Sequence, residues 1–76
     1  MIRFRLKELM ADRTFQLGSR VTFDEISKST GIHRTTLSKL ANQKGYNTTT
    51  DNLDKLCVFF DCPIEKLIEY VKPIEE

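Results

Sequence analysis

The sequence contains no long hydrophobic run. None of its 76 residues belong to an apolar stretch near the roughly 20 residues that a membrane-spanning helix needs. Residues 1–7 interleave charged and apolar side chains, whereas a signal peptide carries a continuous apolar block. We therefore expect no membrane association and a cytoplasmic location.

Cysteine and histidine are scarce, with only Cys57, Cys62 and His33 present. No metal motif combines a lone cysteine pair at this spacing with one distant histidine. Ser38 and Cys57 also have no evident activating partner for nucleophilic chemistry. We therefore expect no metal, no cofactor and no enzymatic activity. The cysteines are interpreted as small, buried, reduced residues, and His33 as a packed or capping residue.

The chain is short, which limits what it can enclose. Residues 1–76 are expected to form one domain, and a core of this size leaves no room for a large active-site cleft. The composition, 39% hydrophobic and 30% charged, is typical of a soluble globular domain.

The net charge of +1 conceals two unlike halves. Residues 1–45 hold nine basic and four acidic residues, a net +5, whereas residues 46–76 hold three basic and seven acidic residues, a net −4. This division predicts a dipolar surface whose basic side faces a polyanion. Chance segregation of charge on solvated helix faces is the alternative.

Two helices are predicted before residue 31. The first spans about Arg5–Arg13, although residues 2–5 also fit a short extended segment. Residues 14–21 contain Gly18-Ser19 and are predicted to be a mobile connection. Thr22 and Glu25 form a capping box that begins the second helix, and Gly31 ends it.

A third helix, predicted from His33 to about Gln43, follows after a single intervening residue. Two short helices separated by a glycine turn indicate a helix-turn-helix over about residues 22–43. The outward arc of the third helix carries hydrogen-bonding side chains and no acid. Its members are Arg34, Thr35, Ser38, Lys39 and Asn42. The opposite arc carries Leu37, Leu40 and Ala41, together with His33.

This outward face suits the major groove of DNA. Arginine or lysine reads guanine there, asparagine reads adenine, and a threonine methyl contacts thymine. A plain solvated helix face is the alternative interpretation. The absence of acid, the preceding glycine turn and the basic half of the chain together favour DNA contact.

Two more helices are predicted over about residues 50–71. Threonines at 48–50 offer N-caps for the fourth, whose apolar positions recur at helical spacing: Leu53, Leu56, Cys57 and Phe60. Pro63 begins the fifth, with apolar residues Ile64, Leu67, Ile68 and Val71, and Pro73 ends it. Five helices and no committed strand predict an all-α fold.

The segment from Phe23 to Leu40 resembles the helix-turn-helix of the lambda-repressor/Cro (Xre-type) family of bacterial and phage regulators. Its Thr30-Gly31-Ile32 and Thr36-Leu37-Ser38-Lys39-Leu40 runs carry the likeness, which extends over about residues 4–71. The resemblance implies a five-helix lambda-repressor-like domain. It also implies sequence-specific binding of double-stranded DNA by a small transcriptional regulator, most readily a repressor.

The resemblance also implies roles for individual residues. Those expected to contact bases are Arg34, Thr35, Ser38 and Lys39. Those expected to contact the DNA backbone are Thr22, Asn42, Lys44 and Tyr46. This chain departs from the family where Phe23 replaces a frequent glutamine and where His33 replaces the usual serine or threonine cap.

Partners follow from the same resemblance. A homodimer on a two-fold DNA operator is expected, because one such domain reads about one half-site, with the fifth helix as its interface. The alternative is an antitoxin or adaptor module that binds a protein partner, such as a toxin or RNA polymerase. Tyr70, Val71 and Ile74, if exposed, would form an apolar patch suited to self-association or to a protein partner.

Overall fold

The computed structural model describes residues 1–43 and 45–73. These residues form five helices and two short strands in the order β1 (Ile2–Phe4), α1 (Leu6–Leu17), α2 (Phe23–Thr30), α3 (Arg34–Asn42), α4 (Thr50–Phe60), α5 (Ile64–Leu67) and β2 (Ile68–Tyr70). The prediction of a mostly helical domain with five helices is confirmed. Among the described helices, none has the length and apolar character to cross a membrane.

Two short strands accompany the helices. β1 confirms the extended alternative for residues 2–5, whereas the prediction that the fifth helix continues to about residue 71 is wrong. α5 ends at Leu67 after a single turn, and β2 pairs antiparallel with β1, Phe4 opposite Ile68. Arg3 donates hydrogen bonds to Glu69 at 2.7 Å and to Glu8 at 3.1 Å. β-branched and aromatic residues after Leu67 suit a strand as well as a helix. Residues 68–70 adopt the strand because β1, near the other end of the sequence, provides an antiparallel partner for their backbone hydrogen bonds.

The first helix is longer than predicted. α1 continues to Leu17, and Gly18 ends it with φ +71°, so the mobile connection expected over residues 14–21 is wrong for its first four residues. The remaining link is also tethered, because the Val21 N–H donates to Thr14 Oγ1 at 3.0 Å. The glycine, which adopts the left-handed conformation at little cost, decides where the helix stops.

One core joins all five helices. The buried side chains are Leu6, Val21, Ile26, Ile32, Leu37, Leu40, Leu56, Phe60 and Leu67. α4 begins at its Thr49 cap, whose side chain accepts from the Asn52 N–H. Leu56 and Phe60 are buried, while Leu53 and Cys57 are half-buried against the core, so the stripe predicted for the fourth helix is confirmed.

The two cysteines lie close together without a disulfide. Both are free and half-buried, so the expectation of full burial is wrong. Burial raises the pKa of the Cys62 thiol, and the neighbouring Cys57 raises that pKa further. A raised pKa keeps the thiol protonated and therefore unreactive near neutral pH.

Leu56→Ala is expected to lower the free energy of unfolding by about 2–5 kcal/mol, because it removes a fully buried side chain and leaves a cavity. The matched control is Val58→Ala on the same helix, where the side chain is 75% exposed and the expected change is within about 0.5 kcal/mol. Thermal or urea unfolding measures both. Equal melting of the two variants would show that Leu56 is not a core residue.

Candidate nucleic-acid interface

The first helix of the motif, α2, starts at a side-chain cap. The Glu25 N–H donates to Thr22 Oγ1 at 3.2 Å, as predicted. The other half of the capping box would be a hydrogen bond from the Thr22 N–H to the Glu25 carboxylate. This bond is not formed among residues 1–43 and 45–73. The Thr22 oxygen accepts the bond from the Glu25 N–H, and among the described residues its hydroxyl proton donates to no acceptor.

A glycine turn fixes the angle between α2 and α3. Gly31 adopts φ +77° and its N–H donates to Ser27 O at 2.8 Å, which ends α2 as predicted. Ile32 inserts into the core, and its N–H donates to Thr30 Oγ1 at 3.2 Å. The turn is therefore held by one buried side chain and two hydrogen bonds.

His33 caps α3 instead of packing beneath it. Its Nδ1 accepts a hydrogen bond from the Thr35 N–H at 3.1 Å, and the side chain is exposed. The expected place beside Leu37 and Leu40 on the apolar arc is wrong. His33 has extended dihedrals, φ −60° and ψ 139°, so the helical angle that placed it there does not apply. The alternative of a capping role is the correct one.

The rest of the α3 face is disposed as predicted. Leu37 and Leu40 are buried, which turns the opposite arc outward. Arg34, Thr35, Lys39 and Asn42 are exposed and Ser38 is half-buried. The Asn42 side-chain amide donates to Ser38 O at 2.9 Å. α3 therefore presents a row of donors along one side, from its first residue to its last.

The loop after α3 returns beside this face. The Lys39 ammonium lies 5.9 Å from the centroid of the Tyr46 ring, within cation–π range. The structure therefore brings Lys39 and Tyr46 together. Lys44, expected to contact the DNA backbone, lies outside the described residues.

Two cations near α3 were missed by the sequence analysis. An open groove of about 760 Å³ lies between α1 and the start of α2, and Arg34 at the first position of α3 borders it. Lys7 from α1 and Arg20 from the α1–α2 link line it together with Thr22 and Arg34. Both belong to the basic half of the chain, but only the packing of α1 beside α3 shows which basic residues share this groove.

One acid also lies at this groove. Asp24 Oδ1, on α2, is 3.2 Å from Arg34 Nη1. The acids of α4 belong to a different part of the fold, because α4 packs on α2 and α5 whereas α3 packs on α1 and α2. One of them, Asp51, pairs with Lys55 at 3.0 Å.

The described residues offer no metal centre, since no group of three or more histidine, cysteine or acidic side chains converges among them. What they present is a pair of helices joined by a glycine turn, the second with an acid-free donor face beside clustered cations. These features define a helix-turn-helix domain of the kind that enters a DNA groove.

The comparisons with known proteins agree with this geometry. The chain belongs to the Cro/C1-type HTH DNA-binding domain family, which matches residues 5–73. The resemblance drawn from the motif is thereby confirmed, and the family supports DNA binding. No curated protein and no solved structure matches the chain significantly.

His33→Ala is expected to lower the free energy of unfolding by about 1 kcal/mol, because the Thr35 N–H loses its acceptor at the start of α3. His33→Ser supplies a strong capping oxygen and is expected to restore the stability of the original chain or exceed it. Urea unfolding of the three proteins measures both effects. If the serine variant were as unstable as the alanine variant, the cap would not be the role of His33.

Proposed function

We propose that this protein is a small transcriptional regulator, acting as a repressor, that binds a specific double-stranded DNA sequence with α3 in the major groove. The observation that carries the proposal is the exposed, acid-free face of α3 in a Cro/C1-type domain. Base pairs present distinct donor and acceptor patterns in that groove. A face built from hydrogen-bonding side chains is suited to read them.

The first turns of α3 supply the base contacts in this proposal. Arg34 offers a planar fork of donors that matches the O6 and N7 acceptors of guanine. Lys39, about one turn further along α3, can donate to the same kind of acceptor on another base. Thr35 and Ser38 bring hydroxyls, and Thr35 also a methyl group that suits thymine. Their exposure or half-exposure on one side of α3 supports this assignment.

Residues around the face hold the phosphates. Thr22 keeps a hydroxyl proton to donate, and Asn42 and Tyr46 flank the far end of α3. Lys44 is included from the family pattern alone. To these we add Lys7 and Arg20, because they line the groove beside Arg34. Phosphate contacts set the register of a protein on DNA without reading its sequence.

A homodimer completes the proposed reading unit. One helix-turn-helix covers about one half-site, and two-fold operators place half-sites about one helical turn apart. α5 is a single turn and is too short to form the interface alone. We place the interface on the C-terminal region around β2, where Tyr70 is exposed and Val71 half-buried. Ile74, expected in the same patch, lies outside the described residues. A dimer on a promoter would exclude polymerase sterically.

A protein-binding role, as an antitoxin or adaptor, is the second candidate. The observation that favours it is apolar exposure at the C-terminal end of α1, where Phe15 is 89% and Leu17 60% exposed. Large apolar side chains this exposed are a feature of interaction surfaces when they belong to a contiguous patch. Neither residue belongs to α3, so both roles are compatible in one chain.

Selection of bound duplexes from a random DNA pool tests the proposed function. We expect enrichment of one sequence as an inverted repeat with half-sites about one helical turn apart. Failure to enrich any sequence at low salt would contradict the proposal and favour the protein-binding candidate. Enrichment of a single, unrepeated half-site would contradict the dimer and leave base reading intact.

Arg34→Ala and Arg20→Ala form a matched pair, because each removes one positive charge from the same groove. Arg34→Ala is expected to cost about 1–3 kcal/mol on the selected sequence and to relax the preference at one base pair. Arg20→Ala is expected to weaken all sequences alike and to reduce the salt dependence by about one counterion. Binding-site selection and salt titration measure both. An unchanged consensus for Arg34→Ala would show that Arg34 reads no base.

A further inference from the structure

Asp24 is an acidic residue that lines the groove bordered by Arg34, and the proposed function gives it no role. It occupies the first turn of α2, where the helix dipole stabilises a negative charge. An acid in this place also repels DNA phosphates, so it lowers the affinity for every sequence. Glu25 already provides a second acid in the same turn. The dipole alone therefore does not explain an acid at the interface.

The carboxylate of Asp24 instead engages the side chain proposed to read bases. Arg34 Nη1 donates to Asp24 Oδ1 at 3.2 Å, from the first residue of α3 to the first turn of α2. The two helices are fixed to one another by the core. Both side chains are about two-thirds exposed, and such surface pairs contribute little to stability. The pair therefore acts on the position of Arg34 more than on the fold.

The contact uses only part of the arginine fork. A guanidinium carries five N–H donors, and Asp24 takes one of them. Within the part of the chain that the structure describes, Nε and Nη2 of Arg34 donate to no protein acceptor. Two parallel N–H groups are what the guanine edge requires. Asp24 can therefore hold Arg34 while Arg34 holds a base.

We propose that Asp24 is a positioning residue for base recognition: it orders Arg34 before binding and keeps its guanidinium away from the phosphates. This inference rests on the proposed function. A held arginine loses less conformational entropy when it docks on the correct base. On a wrong sequence, the same tether prevents a mobile arginine from gaining a phosphate contact. Asp24 thus lowers affinity in general and raises the discrimination between sequences.

Asp24→Ala should consequently change two measurements in opposite directions. We expect tighter binding to a random duplex, because one negative charge leaves the interface. We expect discrimination at the base pair read by Arg34 to fall by about 2- to 10-fold, the cost of ordering one long side chain. Affinities for the selected sequence and for its single-base-pair variant, at one salt concentration, give both numbers.

Glu25→Ala is the matched control. It removes an acid from the same turn of α2, and its carboxylate makes no ion pair among the described residues. Random-duplex binding should tighten as in Asp24→Ala, while discrimination should stay within about twofold because Arg34 remains held. Should Asp24→Ala fold poorly, Asp24→Asn offers the same charge change with nearly the same shape.

The free protein supplies an independent readout. ¹⁵N relaxation at Arg34 Nε should show faster, larger-amplitude motion in Asp24→Ala than in the original chain or in Glu25→Ala. Unchanged Arg34 motion together with unchanged discrimination would overturn the positioning role while leaving base reading by Arg34 intact. If Arg34→Ala itself left the consensus unchanged, base reading by Arg34 would fail and the positioning role with it.

Discussion

The packing of α3 against α2 is the constraint on which the rest of the structure depends. α3 has nine residues, and a helix that short is marginal in water on its own. It persists because Leu37 and Leu40 are buried with Ile26 and Ile32 in the shared core. The same burial turns the donor face outward. Stability and the proposed recognition therefore rest on the two sides of one short helix, and the other elements supply the rest of the core.

The charge of the molecule follows from the same arrangement. A net charge of +1 is too small to give the whole protein a strong electrostatic attraction to DNA. The lysines and arginines, however, concentrate in the half of the chain that contains the helix-turn-helix. Low net charge implies weak non-specific binding. Recognition must then come from a few well-placed groups on one face. The proposed positioning role of Asp24 fits such a protein, since it would exchange affinity for every sequence against discrimination between sequences.

Local chemistry made much of the fold predictable. The Thr22 cap, the Gly31 helix end and the apolar stripe of α4 each depend on residues close by in the sequence. The sequence pattern was therefore sufficient to predict them. The β1–β2 pair was not predictable, because its strands lie at opposite ends of the chain. The α1 boundary was missed because Gly18, and not the earlier Thr14, ends the helix. The outward face of α3 followed from the helical spacing of its apolar residues. The position of Lys7 and Arg20 in the groove with Arg34 depends on how α1 packs, which the sequence pattern does not show.

The central claim is that the outer face of α3 is the surface that binds DNA. NMR titration of the ¹⁵N-labelled protein with a duplex tests it most directly, because every amide reports its own surroundings. We expect the largest shift changes at Thr35, Ser38 and Lys39, and small ones at Asp54 and Val58 on α4. Large changes on α4 with α3 unaffected would contradict the claim.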